Sequence, residues 1–341
     1  MALVEVTRLR EIVLGILLAN EVPEAAALLQ TETLIAAELS GHPSHGVLRL
    51  RRIVERIHAG VADPRATGRH EWTGAALLEV DGLHGLGPVV AMSAIAAITE
   101  RARTTGVAAA VVRNNNHLGM LGWYAEHIAR GGQSGIVTCT SEALVHPWGG
   151  RRAMIGTNPL AIGVPAEPHP LVLDMATGLV SMGRIHDHAQ RGLPLPEGWA
   201  LDAGGEPTTD ARAAIDGSIA PFGGAKGYAL GLSLEVLVAS LTASALGTDV
   251  RGTLDSDRPS SKGDVFIVFG APGEGRADAI GAYLQAVRDT EPATGGGPVT
   301  VPGDGARTRS ELALGRGIEV SDQVWNDLPA LRPATAGSEQ R

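Results

Sequence analysis

The sequence predicts a mixed α/β (α+β) protein in which a sheet-containing part packs against a helical part built from both chain ends. Residues 5–40 carry apolar side chains at helical spacing, whereas short β-like runs alternate with helical segments from about residue 75. Neither the G-x-G-x-x-G fingerprint nor the G-x-x-x-x-G-K-[ST] loop occurs. Any dinucleotide is therefore expected to bind to an arrangement other than a Rossmann fold.

The N-terminal region is predicted to be helical in two stretches, 8–19 and 24–39, with Pro23 suited to the first turn of the second helix. The sequence Gly-His-Pro at 41–43 interrupts this pattern, and helical periodicity resumes over 44–58. A helical N-terminal region follows from these spacings.

The middle of the chain predicts a sheet with intervening helices. Five β-like runs lie at 76–80, 107–112, 135–140, 160–165 and 171–175, and helical segments lie at 89–103 and 121–131.

Towards the C-terminus, the patterns predict a helix at 226–246, a strand at 264–270, a helix at 276–289 and a Pro/Gly/Thr-rich loop at 290–310. We therefore expect a helical domain from residues 1–74 and 275–330, an α/β cofactor-binding domain from 75–274, and a flexible tail at 331–341.

Composition narrows the class of partner. The 341 residues are 44% apolar with a formal net charge of −9, and no Lys/Arg cluster is interleaved with aromatic residues. Nucleic acid and an anionic membrane are thus excluded as main partners. There is no signal-like apolar stretch and no apolar run long enough to span a bilayer, and Cys139 is the single cysteine. A cytoplasmic protein that binds a small molecule is expected.

Two residue types are conspicuous because they are rare. Of the 28 lysine and arginine residues, only Lys226 and Lys262 are lysines. Three of the six asparagines in the chain lie side by side in RNNNHLGM, residues 113–120. Scarcity makes Lys226 and the asparagine run candidates for specific chemistry.

The stretch SGHPSHGVLRL, 40–50, places Ser44 and His45 at a helix start with Arg49 four residues after His45. Residues four apart share a helix face. An imidazole can transfer a proton near neutral pH, and a guanidinium can grip a carboxylate. The group could hold and protonate a 2-oxo acid; an N-cap serine beside a surface His and Arg is the equally weighted alternative.

The RNNNHLGM stretch follows a predicted strand and precedes a helix, where α/β proteins collect ligands. Its asparagines could orient His117 and Gly119 could allow close approach, although a turn with asparagine caps is the better interpretation of this stretch alone. Thr157 offers a donor at a loop bend, and Lys226 lies in a glycine-rich turn suited to a phosphate. Asp174 ends a strand.

A metal site is not favoured. There is no H-E-x-x-H motif and no cysteine pair, and neither His42 with His45 nor the His-Asp-His run at 186–188 has a persuasive further ligand.

Taken in order, these pieces resemble the type-2 malate/L-lactate dehydrogenase family, whose relatives include ureidoglycolate, sulfolactate and diketogulonate oxidoreductases and cyclic-imine 2-carboxylate reductases. The resembling motifs are SHGVLR (44–49), DGLHGLG (81–87), RNNNHLG (113–119), PWGG (147–150), GTNPLAIGVP (156–165), LDMAT (173–177), LPEGWALDAGGEPTTD (195–210), AKGYAL (225–230) and PGD (302–304). They span nearly the whole chain.

The resemblance implies a homodimeric, NAD- or NADP-dependent oxidoreductase with a fold that is not Rossmann. His45 would exchange the proton, although in parts of the family the histidine matching His117 is assigned that role. Ser44 and Thr157 would lie beside the substrate and Arg49 would bind its carboxylate. The cofactor would contact His45 and three segments: Asp174, Met175, Ala176 and Thr177; Ala225, Lys226 and Gly227; and Pro302, Gly303 and Asp304.

Two positions depart from the family pattern, which commonly has Ser at Gly178 and Glu at Asp304. They leave the choice between NAD and NADP open, and Arg184, His186 and His188 could favour a 2′-phosphate.

We therefore expect a reversible hydride transfer between nicotinamide and the 2-position of a small 2-oxo or 2-hydroxy acid. The alternatives are a cyclic-imine 2-carboxylate reductase of the same family, a His-dependent lyase or tautomerase that needs no nicotinamide, and a non-catalytic protein that senses a small acid. The substrate itself stays open.

Overall fold

The computed structural model describes residues 1–271 and 273–333. Residues 334–341, most of the predicted tail at 331–341, lie outside this described part. The helices within it are α1 (Val6–Ala19), α2 (Glu24–Leu39), α3 (Leu50–His58), α4 (Gly87–Thr105), α5 (Leu121–Arg130), α6 (Met182–Arg191), α7 (Ala211–Ile215), α8 (Ala225–Thr242), α9 (Arg276–Arg288), α10 (Asp304–Arg316) and α11 (Asp322–Asp327). Short 3-10 turns occur at Pro43–His45, Val47–Arg49, Gly247–Asp249 and Leu328–Leu331.

The strands are β1 (Ala2–Val4), β2 (Arg69–Trp72), β3 (Leu77–Asp81), β4 (Val107–Arg113), β5 (Ser134–Cys139), β6 (Ala143–Val145), β7 (Ile155–Gly156), β8 (Leu160–Val164), β9 (Leu171–Met175), β10 (Ala200–Leu201), β11 (Pro207–Thr208), β12 (Ser218–Ile219), β13 (Asp264–Phe269) and β14 (Ile318–Val320). The prediction of a mixed α/β protein is confirmed.

A seven-stranded sheet forms the centre, in the order β2-β3-β4-β13-β5-β8-β9. β3 and β4 run parallel, and the other neighbours pair antiparallel. Successive side chains of a strand point to opposite faces. Residues such as Ala110 and Phe266 accordingly pack under α4 and α5, whereas Val111 and Val265 face Val238 of α8.

A smaller five-stranded sheet, in the order β11-β10-β12-β6-β7, lies beside the large one and has its own apolar core with α6 and α7. The sequence did not predict this sheet. Its strands contain two or three residues each, too few to show an alternating pattern.

The two chain ends share one core. β1 pairs with β14, and Leu9, Ile35 and Leu50 are buried in the same cluster as Ile318 and Leu328. This packing agrees with a helical part made from both ends, whereas the division into domains at 74 and 275 stays a prediction.

The helices expected at 8–19, 24–39, 89–103, 121–131 and 276–289 and the strands expected at 76–80, 107–112, 135–140, 160–165, 171–175 and 264–270 are confirmed to within a few residues at their ends. None of the described helices is long and apolar enough to cross a bilayer.

Three predicted boundaries were wrong. The helix expected over 44–58 begins as two 3-10 turns, because Gly46 has an extended backbone that interrupts it. The helix expected to reach residue 246 ends at Thr242, where Ala243 adopts a left-handed conformation. The loop expected over 290–310 ends early, since α10 begins at Asp304, whose carboxylate favours a helix N-terminus.

Candidate active site

The segment that carries His45 is held by a half-buried carboxylate. Glu38 of α2 accepts a hydrogen bond from the Val47 backbone N–H at 2.7 Å. A Cβ at Gly46 would overlap the Glu38 carboxyl group, so only glycine lets the two segments approach this closely. Burial raises the pKa of Glu38 to about 7.

Arg49 is oriented by carbonyl groups. Its Nε donates to the Ser44 carbonyl at 2.7 Å and its Nη1 approaches the Thr253 carbonyl at 3.4 Å. Burial and the charge of Arg52 lower its pKa to about 10, and Glu142 opposes the shift. The guanidinium stays charged at neutral pH with its Nη2 group directed to no protein acceptor among the described residues.

The loop that carries His117 is anchored by all three asparagines. Asn114 donates to Asp81 at 3.0 Å and Asn115 donates to Asp264 at 2.9 Å. Asn116 accepts from Arg56 Nε at 2.9 Å and donates to the carbonyls of residues 84 and 85. The asparagines thus position the loop.

The structure brings the two candidate histidines together. The rings of His45 and His117 stack with centroids 5.3 Å apart and planes inclined by 17°. Burial, followed by the charge of Arg49, lowers the pKa of His45 to about 3 and holds the pKa of His117 well below its usual value. Both rings are neutral, because two adjacent imidazolium ions beside arginine would repel one another.

The two rings differ in their hydrogen bonding. His117 Nδ1 accepts from the Gly119 N–H at 3.1 Å, so the proton of the neutral ring lies on Nε2. His45 Nδ1 is buried without a partner in the described part of the chain. His117 is therefore set as a hydrogen-bond donor through Nε2, whereas no hydrogen bond to the described residues fixes the tautomer of His45.

A cavity of about 300 Å³ opens beside these rings. Nine of the residues predicted for the site line it: Ser44, His45, Arg49, His117, Gly119, Thr157, Asp174, Met175 and Ala176. The other predicted cofactor residues, Thr177 and the segments 225–227 and 302–304, lie outside its lining. Within residues 1–271 and 273–333, no cluster of three or more His, Cys, Asp or Glu side chains is placed to hold a metal ion.

Thr157 closes one side of the cavity. Its N–H donates to Ser141 Oγ at 2.9 Å, and the two hydroxyls are 3.1 Å apart. Its carbonyl accepts from the N–H and the hydroxyl of Thr177, which is buried. Thr177 therefore supports the wall through Thr157.

Asp174 of β9 lies against the start of α5, where its carboxylate accepts from the Gly122 N–H at 2.7 Å. Burial raises its pKa to about 6 although that hydrogen bond opposes the shift. The group both caps the helix and faces the cavity.

Two predicted cofactor segments lie next to this edge. Phe222, just before α8, donates to the Thr177 carbonyl at 3.1 Å, which places Ala225, the exposed Lys226 and the buried Gly227 close by. A Cβ at Gly303 would lie 3.3 Å from the Val172 carbonyl, so Pro302 and Gly303 flank β9.

The Asp304 carboxylate has several protein partners. It accepts from Arg288 through two bonds of 2.8 Å, from Arg307 at 2.9 Å and from the Val301 N–H at 3.0 Å. These partners hold its pKa well below the usual range. These protein groups already occupy the carboxylate. Its expected contact with a dinucleotide stays a prediction.

Several cavity residues escaped the sequence analysis, namely Ser141, Glu142, Thr253 and Lys262. Lys262 is buried and paired with Asp264. Its scarcity was the available signal, since it is one of two lysines. Glu142 accepts from the Thr253 and Leu254 N–H groups at 2.7 and 2.8 Å. This contact joins distant segments of the chain, so no local sequence pattern predicts it.

A family model described as malate/L-lactate dehydrogenase matches residues 4–329. The L-sulfolactate dehydrogenase of Methanothermobacter thermautotrophicus is 35% identical over 321 residues, covering 92% of each chain. The Δ1-pyrroline-2-carboxylate reductase of Pseudomonas fluorescens is 40% identical over 199 residues, covering 58% of this chain and 59% of the reductase. The crystal structure of a dehydrogenase from Sinorhizobium meliloti superposes with a TM-score of 0.93 at 48% identity, covering 97% of this chain and 98% of that one.

Glu38→Gln should affect stability differently at two pH values. The melting temperature of the variant minus that of wild type should be higher at about pH 8 than at about pH 5. The amide oxygen still accepts the Val47 N–H. A carboxyl whose pKa is raised to about 7 by folding stabilises the fold below its unfolded pKa, and that stability is lost as pH rises through 7. Melting temperatures of both proteins across this range measure the effect.

Glu32→Gln on the same helix is the control, because Glu32 is half exposed and paired with Arg10. An equal change in melting temperature at both pH values for Glu38→Gln would contradict the assignment.

Proposed function

The chain belongs to the malate/L-lactate dehydrogenase family, and we propose that its stacked histidines and Arg49 carry a hydride-transfer reaction of a small carboxylate. The protein is an NAD- or NADP-dependent oxidoreductase acting at the 2-position of a 2-oxo or 2-hydroxy acid. The observation that carries the site assignment is that His45, His117 and Arg49, from distant segments, line one cavity.

Arg49 binds the substrate carboxylate. Its Nε is committed to the Ser44 carbonyl, which leaves the Nη edge of the guanidinium towards the cavity. A guanidinium and a carboxylate form a geometrically specific charge-assisted pair. This contact fixes the 2-position of the substrate relative to the two imidazoles.

His45 exchanges the proton and His117 donates a hydrogen bond to the substrate oxygen. His45 Nε2 supports the first role, because it has no hydrogen-bond partner among the described residues and, unlike the buried Nδ1, is accessible in the ring that lines the cavity. The Gly119 N–H, which keeps the proton of His117 on Nε2, supports the second role. In the oxidative direction neutral His45 accepts the hydroxyl proton; in the reductive direction it returns that proton to the oxo oxygen.

The residues along the cavity edge fit a nicotinamide dinucleotide. When bound, the nicotinamide supplies or accepts the hydride. The first turn of α8 has no side-chain cap, and Lys226 adds an exposed ammonium there, which together suit a phosphate. A Cβ at Gly224 would lie 3.0 Å from the Trp148 ring, so glycine keeps this turn open.

We further propose that the dinucleotide binds without a Rossmann fold. The absence of a G-x-G-x-x-G fingerprint supports this, as does the largely antiparallel order of the seven-stranded sheet. Residues near the opening of the cavity would determine the preference for NAD or NADP. Those of α6 are candidates, because the first turn of this helix lies against Ser44.

A cyclic-imine reductase is the alternative within the same chemistry. The similarity to the pyrroline-2-carboxylate reductase favours it over part of the chain. Arg49 would bind the ring carboxylate and His45 would protonate the imine nitrogen. Substrate turnover decides between the two.

We also propose that the protein is a homodimer. α8 packs on the sheet through Val238, yet its other side exposes apolar residues. The exposed ones are Leu230, Leu232, Val236, Leu237 and Leu241, each 37–52% exposed. An apolar patch of this kind is typical of a protein interface, and a second copy of the same helix is its simplest partner.

Turnover with a nicotinamide cofactor tests the oxidoreductase assignment. Purified protein should change the absorbance of NADH or NADPH in the presence of a 2-oxo acid or a cyclic imino acid, and of NAD or NADP with a 2-hydroxy acid. No turnover with any such compound, together with no protection by cofactor against heating, would refute the oxidoreductase. Proton exchange into a substrate without cofactor would instead indicate a lyase or tautomerase.

Substitution of each histidine separates their two roles. His45→Gln should lower kcat by roughly 10²–10⁴, the usual contribution of a general acid–base. His117→Gln should lower kcat by only about tenfold, because an amide N–H still donates to the oxygen. His58→Gln, at an exposed position, is the control for both, and the reverse order would assign the proton exchange to His117.

The mass in solution and one charge substitution test the homodimer. Light scattering of the purified protein should give twice the mass of the chain, and Val236→Asp on α8 should shift it to the monomer. Leu314→Asp on the exposed side of α10 introduces the same charge elsewhere and should leave the dimer intact. A monomeric wild type at micromolar concentration would contradict the proposal.

A further inference from the structure

The loop formed by residues 252–260 is part of the wall of the active-site cavity. It contains neither helix nor strand, and its residues Thr253 and Leu254 line the cavity. Leu254 is also 40% exposed, so the loop separates the cavity from solvent at this residue. A movement of the loop would therefore open the cavity.

The two ends of the loop are joined at a narrow neck. The Ser261 N–H donates to the Arg251 carbonyl at 3.1 Å, and the Arg251 N–H donates to Ser261 Oγ at 2.9 Å. Gly252 has a φ of 84°, and a Cβ there would lie 2.5 Å from the Ser260 Cα, so this position requires glycine. A compact loop whose ends adjoin in this way is an Ω-loop. The neck keeps both ends in place when the rest of the loop moves.

Polar contacts hold the loop on the rest of the protein. Among the described residues, none of 252–260 belongs to an apolar core cluster. Its two large apolar side chains, Leu254 and Pro259, are exposed. A segment with few buried apolar contacts opens at a lower free energy than the core around it. The loop can therefore detach while the sheet and the helices stay folded.

The outer part of the loop is attached to α3. Arg56 Nη1 donates to the carbonyls of Asp255 and Arg258, each at 2.9 Å. Ser256 Oγ donates to Glu55 Oε2 at 2.7 Å. The Asp255 carboxylate accepts from the Arg258 N–H at 3.3 Å, a bond within the loop that helps this part to keep one shape.

One carboxylate oxygen holds the inner part of the loop. Glu142 Oε1 accepts from the Thr253 N–H at 2.7 Å, from the Thr253 hydroxyl at 3.0 Å and from the Leu254 N–H at 2.8 Å. Glu142 lies between β5 and β6 and lines the same cavity. Hydrogen bonds to an ionised acceptor are stronger than those between neutral groups. The position of the two cavity-lining loop residues therefore depends on this carboxylate.

The loop also contacts the residue that is proposed to bind the substrate. The Thr253 carbonyl accepts from Arg49 Nη1 at 3.4 Å, while the N–H of the same residue is bound to Glu142. Movement of Thr253 would remove an acceptor from Arg49 and open the cavity in one step. When the loop is in place, it shields a carboxylate on Arg49 from solvent.

We propose that residues 252–260 form a lid over the active site and that Glu142 holds this lid closed. Glu142 is a positioning residue: its carboxylate fixes Thr253, and the Thr253 carbonyl helps to orient the Arg49 guanidinium. The lid opens as a unit about the neck at residues 251 and 261, which admits a carboxylate substrate and releases the product. This inference rests on the proposed function, because it takes the cavity as the place of the reaction.

Hydrogen exchange tests the role of Glu142 without any turnover. In Glu142→Ala, the backbone amides of 252–258 should exchange roughly tenfold faster or more than in wild type, the effect of losing a charged hydrogen bond. The amides of β13 should exchange as in wild type. Glu142→Gln should give an intermediate rate, because its amide oxygen still accepts from the same N–H groups.

Glu126→Ala is the matched control for hydrogen exchange, because it removes a half-exposed carboxylate that pairs with Arg130 instead. Equal exchange of 252–258 in wild type and in Glu142→Ala would overturn the proposal.

Kinetics separate a positioning role from a catalytic one. Glu142→Ala should raise KM for the acid substrate by about tenfold or more and leave kcat within about threefold, because both histidines remain and only the orientation of Arg49 and the closure of the lid are weakened. A loss of kcat as large as that expected for His45→Gln, with no change in the exchange of the loop, would place Glu142 in the chemical step and overturn the proposal.

A cross-link tests whether the lid must open. Glu55 and Ser256 contact each other and Cys139, the single cysteine, is buried, so Glu55→Cys/Ser256→Cys carries the only two accessible thiols. Joining them with a bis-methanethiosulfonate that has a one-carbon spacer should lower kcat/KM by roughly tenfold or more, and dithiothreitol should restore it. Arg8→Cys/Glu11→Cys on α1, cross-linked in the same way, is the control. Equal activity before and after release of the lid would overturn the proposal.

These outcomes keep the lid separate from the proposed function. If no 2-oxo or imino acid is reduced but the exchange of 252–258 rises in Glu142→Ala, the oxidoreductase fails and the role of Glu142 in holding the lid stands. If such acids are reduced and neither the exchange nor the cross-link has an effect, the lid fails and the oxidoreductase stands.

Discussion

The geometry of the site depends on the hydrogen bond between Arg56 and Asn116. Arg56 lies on the helix that follows His45, and Asn116 directly precedes His117, so this 2.9 Å contact joins the two segments that carry the stacked rings. Both residues are buried. A hydrogen bond to a charged group contributes roughly 1.5–3 kcal/mol. Gly87 completes the junction, because a Cβ there would overlap the His117 carbonyl.

The charged groups around the two imidazole rings control the protonation of His45 and His117. Arg49 disfavours the protonation of both histidines, and Lys262 adds to the effect at His117. An anionic substrate at Arg49 reverses this field, since a nearby negative charge favours the protonated imidazole. Binding of the substrate carboxylate at Arg49 therefore raises the proton affinity of His45. Substrate binding and proton uptake by this ring are coupled by electrostatics.

Long periodic segments could be predicted from sequence, whereas contacts between distant segments could not. The spacing of apolar residues alone predicts the helix at 24–39 and the strand at 107–112. The two-residue strand Ser218–Ile219 carries no such pattern, and α10 begins inside a glycine-rich stretch at Asp304, whose carboxylate also binds Arg288 of another helix. For the same reason, Glu142 could not be placed in the site from its local sequence, and only the scarcity of lysine marked Lys262. The motifs around His45 and His117 were visible in the sequence.

The asparagine run shows why the residue type matters more than the turn it forms. Asn116 accepts from a guanidinium and donates to two carbonyls, a combination that an aspartate cannot supply because an ionised carboxylate only accepts. Asn115 donates to Asp264 and so ties the loop to the buried Lys262 pair. Asn114 has a φ of 52°, a left-handed conformation that asparagine tolerates well. Each of the three amides makes a different contact, and together these contacts hold the loop that carries His117. None of the three asparagines lines the main cavity.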